Sequence, residues 1–207
     1  MTIAELKNKH SRLKKLDGGS FWKRPQYKVF GSDSHGYKFN APLSIEQIKR
    51  FEEQHRILLP DDYRNFLLTV GNGGSGPAYG LLPLWQWNIE LEIEQDDFLS
   101  IPFPHADQWN MVRDFDMEDD AVYESEAFQK WEEDYYSNDH ITGSIRICHY
   151  GCAIYYLLVV TGDERGMIWV DDRANDLGIY PAVTKGKRLD FVSWYDGWLD
   201  EGMELYR

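Results

Sequence analysis

Cys148, His149 and Cys152 place three metal-capable side chains within five residues, the densest grouping of soft ligands in the chain. A structural zinc site needs a fourth donor. The sequence has no second cysteine pair, the spacing matches no common zinc signature, and neighbouring residues of a strand point to opposite faces. The two thiols therefore read as reduced and structural; on a straight strand their Cα atoms would stand about 13 Å apart, beyond disulfide reach. Asp114, Asp116, Glu118, Asp119 and Asp120 could gather around Ca²⁺, yet the run lacks the glycine and closing glutamate of the twelve-residue calcium loop. Serine, histidine and aspartate all occur, but none in a nucleophile elbow or another activating context. Gly71-Asn72-Gly73-Gly74 resembles a phosphate cradle only in composition. It follows a helical pattern, and the carbonyls of a helix C-terminus repel anions. These residues imply no catalytic group, no cofactor and no metal, and so a chain that is not an enzyme.

The elements around these residues are legible from periodicity. Ser44 can cap a helix and Gln47 can return the bond, with Ile45, Ile48 and Phe51 on one face. Pro60-Asp61-Asp62 opens a second helix, in which Tyr63, Phe66, Leu67 and Val70 repeat at helical spacing. The glycine turn follows, and Tyr79 to Leu84 reads as a first strand. Ala121 to Tyr136 reads as an acidic amphipathic helix carrying Phe128, Trp131 and Tyr135 on one side. From Ile145 to Asp172 alternation, Gly151 and the loop Thr161–Gly166 describe an antiparallel meander. Phe191, Trp194, Tyr195, Trp198 and Leu199 then form a terminal helix, capped near Asp190, that should pack on the sheet.

Charge narrows the function classes. The chain of 207 residues has 35 acidic against 22 basic side chains, a net charge of −13. Nucleic acid is excluded as a partner, since phosphate binding needs a basic surface. The charge is also segregated: residues 1–40 hold nine Lys or Arg, whereas between Pro104 and Ile145 twelve Asp or Glu face only Arg113 and Lys130. The N-terminus has no apolar run of membrane or signal-peptide length, so a cytoplasmic protein without membrane association is expected. Two cysteines and about 70% of the chain's surface buried on folding imply a core that needs no disulfide.

Leu43-Ser44 with Ile48, Phe51 and Glu52, Leu59-Pro60-Asp61-Asp62-Tyr63 with Phe66-Leu67, Gly71–Gly74, and Gly162-Asp163-Glu164 with Gly166 and Ile168-Trp169 together resemble the SUKH superfamily. That superfamily includes fungal cell-wall regulators of the Smi-Knr group. The resemblance spans roughly residues 35–85 and 145–205. It implies an α+β fold, a single domain with a mixed, mostly antiparallel sheet flanked by helices. It also implies a function of binding: bacterial members commonly serve as immunity proteins that block a cognate toxin. A four-part division follows, with a basic N-terminal extension (1–40), a helix-helix-strand core (41–85), an acidic, partly helical insert (86–144) and a meander with terminal helix (145–207).

No catalytic residues come with the resemblance, so the insert is the place to look for partner contacts. Asp116, Glu118, Asp119, Asp120, Glu124, Trp131, Glu132, Glu133, Asp134 and Tyr135 are the expected contact residues, facing a basic toxin such as a nuclease. A solvated helix face that only keeps the protein soluble would give the same charges. The interleaved aromatics Trp109, Phe115, Tyr123 and Phe128 favour binding. A regulatory or scaffold module of the fungal kind is the alternative. A compact chain favours the immunity reading.

Overall fold

The alternating segment from Ile145 onward forms a four-stranded antiparallel meander in the computed structural model, which describes residues 2–19, 22–93 and 95–207. Its strands are β1 (Ser144–Gly151), β2 (Ile154–Val159), β3 (Ile168–Asp172) and β4 (Gly178–Pro181), in spatial order β1-β2-β3-β4. Every pairing in this sheet is antiparallel, so the fold is α+β as expected, without a parallel strand among the described residues. Cys152 and Ala153 both take positive φ (49° and 57°), the geometry of a two-residue turn whose twist matches that of the strands it joins. The β1–β2 segment is thus a hairpin and not one straight strand. A small hairpin, β5 (Val183–Thr184) with β6 (Lys187–Arg188), follows the sheet.

Tyr155 and Leu157 of β2 pair across the sheet with Asp171 and Trp169, and Tyr156 and Leu158 with Val170 and Ile168, so the two sets define opposite faces. One face meets the C-terminal helix, where the Tyr156 ring lies 5.1 Å from that of Trp194. The other meets the segment before β1, with the ring of Trp169 5.0 Å from Phe103 and 6.3 Å from His105. The stretch around Phe103 and His105 therefore covers part of the core on that face.

Six α-helices accompany the sheet among the described residues: α1 (Ile3–Asp17), α2 (Ser32–His35), α3 (Ile45–His55), α4 (Asp61–Thr69), α5 (Glu126–Tyr136) and α6 (Phe191–Glu204). The Ser44–Gln47 capping box opens α3, and Asp190 caps α6 by accepting from the Ser193 N–H at 2.7 Å. Helix α1 was not expected. Thr2 and Glu5 make a second capping box there, and Leu6 and Leu13 are buried against α4 and α6. Gly202 permits this approach, since a Cβ at that position would lie 2.8 Å from the Leu13 side chain. Lys9 binds Asp200 at 2.7 Å and also Asp196, tying the basic helix to the acidic one.

The predicted strand at Tyr79–Leu84 is not one. Ala78 and Gly80 take positive φ, Pro83 has no N–H to donate, and only Leu81 makes isolated bridges, to Gly74 and Cys148. The chain then enters a 3₁₀ turn at Leu84–Gln86.

The Leu59-Pro60 joint is held by two charged side chains. Glu52, buried at the end of α3, accepts from the Leu59 N–H at 3.1 Å and from Arg64 Nε of α4 at 3.0 Å. Arg165 reaches from the β2–β3 loop to the carbonyls of Leu58 and Leu59 at 3.1 and 2.9 Å. The motif residues thus lock two helices and one sheet loop together.

Acid should weaken this fold through its buried imidazoles. His10 lies 4.5 Å from Phe39 and shares a 2.8 Å hydrogen bond with Ser75, and burial pushes its pKa down to about 4. A histidine depressed on folding contributes stability that is full above about pH 6.5 and declines as pH falls towards 4. For His10 that loss is about 3 kcal/mol, and His105, pushed the same way chiefly by burial, adds to it. Urea midpoints at pH 7 and pH 4.5 should differ accordingly, with a smaller difference in His10→Gln; equal midpoints would contradict the linkage.

Candidate partner-binding site

The acidic segment is built around its own aromatic residues. Ser125 caps α5 by accepting from the Phe128 N–H at 3.2 Å, and the loop before it folds back over the helix. Phe115 lies 5.3 Å from Phe128, Tyr123 5.2 Å from Phe128, and Trp131 donates its indole N–H to the Val112 carbonyl at 3.1 Å. Phe128 is buried beneath rings that are themselves partly covered or, for Tyr123, exposed, and the intervening polar residues point outward. Asp116, Glu118, Asp119, Asp120, Glu124, Glu132, Glu133 and Asp134 are all exposed. Asp116 and Asp119 accept from backbone N–H groups of their own turns at 3.2 and 3.0 Å. None of the eight enters an ion pair among the described residues; of the segment's two cations, Arg113 is taken by Asp176 at 2.7 Å and Lys130, two residues before Glu132, makes no ion pair among the described residues.

The two aromatic members of the expected contact set behave differently from the carboxylates. Tyr135 is 1% exposed, stacks on Trp109 at 5.6 Å and donates to Asn110 Oδ1 at 2.8 Å, so it is a core residue and offers a partner no surface. Trp131 is half-buried, its indole N–H bound to the Val112 carbonyl and its ring stacked 4.8 Å from that of Tyr135.

The segment is fixed to the sheet by a buried charge network. Arg173, after β3, donates from Nε and Nη2 to the two oxygens of Asp171 at 2.7 and 2.8 Å. Its Nη1 donates to the carbonyls of Tyr135 and Ser137 at 3.0 and 2.8 Å, where a cation complements the negative end of α5. Arg146 of β1 lies 3.9 Å from the same Asp171, donates to the Ile89 carbonyl at 2.6 Å and stacks 3.8 Å over the Tyr155 ring. The Tyr155 hydroxyl in turn donates to Glu90. His140 adds a hydrogen bond with the Asp134 carbonyl at 2.9 Å and stacks on Trp109. The carboxylates are therefore presented from a rigid platform.

The grouping at Cys148 comes apart in space. Cys148 is buried, donates to the Pro77 carbonyl at 3.1 Å and has its thiol pKa raised by burial, whereas Cys152 is exposed on the hairpin turn. His149 stacks on Tyr155 at 4.9 Å. Among the described residues no three His, Cys, Asp or Glu side chains are arranged to hold a metal ion. The Gly71–Gly74 run is a turn, with φ of 83° at Gly73 and 99° at Gly74 and the Asn72 side chain accepting from the Leu84 N–H at 2.7 Å.

A second surface has no counterpart in the motif reading. Between the α6-facing side of the sheet and α6 lies an open cleft of about 520 Å³, walled by Phe30, Tyr150, Tyr156, Tyr180, Trp194 and Trp198. Its residues come from the loop after α1, the turn at Pro77 and Ala78, all four strands of the sheet, β5 and α6. Only the three tyrosines could have flagged it in sequence, and their spacing gives no sign that they converge.

No helix among the described residues is long and apolar enough to cross a membrane. No curated protein and no solved structure matches the chain. The profile of the SMI1 / KNR4 family (SUKH-1) does match, over residues 42–182. That span runs from the approach to α3 through the acidic segment to the end of the sheet, leaving α1 and α6 outside it. Since it covers more than half of the sequence and includes the Leu59-Pro60 joint, the chain belongs to the SMI1 / KNR4 family (SUKH-1), within the SUKH superfamily.

Proposed function

We propose that this protein is an immunity protein that neutralises a cognate toxin domain in the cytoplasm by binding and blocking it. Family membership supports a protein-binding role. The observation that carries the sharper reading is the set of eight exposed carboxylates without ion-pair partners on a platform pinned to the sheet. A rigid acidic face attracts a basic groove over long range and rejects partners of the wrong sign. Nucleases, whose substrate groove must be basic, are the toxin class that complements it best.

The test is capture with the tagged protein from its native cells, followed by association kinetics. A basic toxin domain should co-purify in stoichiometric amount. Glu132→Lys, Glu133→Lys and Asp134→Lys combined should slow its association about tenfold or more at low salt and flatten the salt dependence. Unchanged kinetics would remove the acidic face as the contact. Capture of cell-envelope factors instead would favour a regulatory module.

A further inference from the structure

Phe30, Tyr150, Tyr156 and Trp194 form a continuous aromatic wall, with successive ring centroids 5.3, 6.2 and 5.1 Å apart. Phe30 and Tyr150 are 54% and 43% exposed, more surface than a core ring presents. No Lys or Arg lines the cleft, and its single charged side chain is Glu201, on α6, which has no ion-pair partner among the described residues. Burial, and after it Cys148, Tyr150, Tyr180 and Glu201, keep the Tyr156 phenol protonated and the wall neutral. Gly197 leaves the helix side of the cleft open, since a Cβ there would meet nothing within 4 Å.

We infer that this cleft takes a guanidinium side chain: an arginine of a basic protein partner, its plane on the aromatic wall and its charge against Glu201. An apolar plug would fit the wall but leave Glu201, exposed at the cleft, without a charge partner among the described residues. A guanidinium meets both the wall and the carboxylate. It is weakly hydrated, stacks on aromatic faces and carries the opposite charge. A cleft of this size also admits the full length of the side chain. The assignment deepens the reading of a basic partner, but the cleft lies on the α6 face of the sheet, away from α5, and is testable without any toxin.

The probe is N-acetyl-argininamide, titrated into the full chain while the indole N–H resonances are followed by NMR. Saturable shifts are expected at Trp194 and Trp198 but not at Trp85, with the uncharged citrulline analogue failing to reproduce them. Glu201→Gln should weaken the response about fivefold. Gly197→Leu, which fills the cleft from a position with free space and improves helix propensity, should abolish it while the fold is kept. No saturable shift, an equal response to citrulline, or full binding by Gly197→Leu would overturn the assignment. Such a failure alongside salt-dependent capture of a basic toxin would refute the cleft and spare the acidic face; arginine binding without toxin capture would do the reverse.

Discussion

Arg173→Met should cost about 3–5 kcal/mol and loosen the acidic helix before it unfolds the sheet. Arg173 is one of the few charges the fold buries, 4% exposed, and its guanidinium makes four hydrogen bonds in two directions. Towards the sheet it neutralises Asp171. Towards α5 it holds the last carbonyls, which no other side chain described here reaches with a cation. Methionine fills much of the volume but leaves Asp171 with only Arg146, at 3.9 Å, takes the side-chain donor from the Tyr135 carbonyl and leaves the Ser137 carbonyl with the long bond from the His140 N–H at 3.5 Å. The urea midpoint reports the total loss. Amide hydrogen exchange separates its parts: residues 126–140 should lose protection more than β1–β3. A loss below about 1 kcal/mol, or uniform deprotection, would show that α5 is held by its aromatic packing alone. If the acidic face binds the toxin, the same variant should weaken binding though every surface carboxylate remains.

This network marks where sequence reasoning stops. The helix starts were legible because a cap is local: Ser44 with Gln47 and Asp190 with Ser193 lie three residues apart. Thr2 with Glu5 is equally local, but the basic composition of the first forty residues masks the helical spacing of Leu6, His10 and Leu13. Alternation disclosed β1–β3 but not β4, four residues bounded by Gly178 and Pro181. At Tyr79–Leu84 apolar content suggested a strand that the backbone of Ala78 and Gly80 forbids. The acidic segment shows the same limit in another form. Its exposed carboxylates could be named in advance, because charge predicts exposure. Its aromatics could not be sorted into anchors and core, because a cluster that buries itself and one that awaits a partner have the same composition. Tyr135 depends on Asn110, Trp109 and Arg173, a pairing over 25 residues or more for which no short motif exists.

Asp17→Ala should be the other severe substitution, at about 4 kcal/mol. A carboxylate at the end of α1 faces the unfavourable pole of the helix and here has no cation partner among the described residues, so hydrogen bonds alone must hold it. Five donors do so. The N–H groups of Lys28 and Val29 lie at 2.6 and 3.4 Å, the hydroxyls of Ser32 and Tyr37 at 2.9 and 2.6 Å, and the Tyr206 hydroxyl completes the set. Burial alone would raise the Asp17 pKa, but the bonds from Tyr206, Tyr37, Lys28 and Ser32 outweigh it and hold the carboxyl below its ordinary value of 3.8. A depressed carboxyl contributes stability that is full above about pH 4 and is lost as pH falls further, in the range directly below that of the histidines, whose effect is complete by then. Alanine strands the donors at all pH values, whereas Asp17→Asn keeps one acceptor and should lose about half as much. The consequence reaches function. Asp17 joins α1 and the segment leading to Phe30 with Tyr206 beyond α6, so it fixes the two sides of the aromatic cleft relative to one another. Chemical denaturation of both variants, with hydrogen exchange on α1 and α6, measures this directly. A cost below about 1 kcal/mol for alanine would mean that helix packing at Gly202 and the Lys9 ion pairs already join the two ends, and that the cleft keeps its shape without the carboxylate.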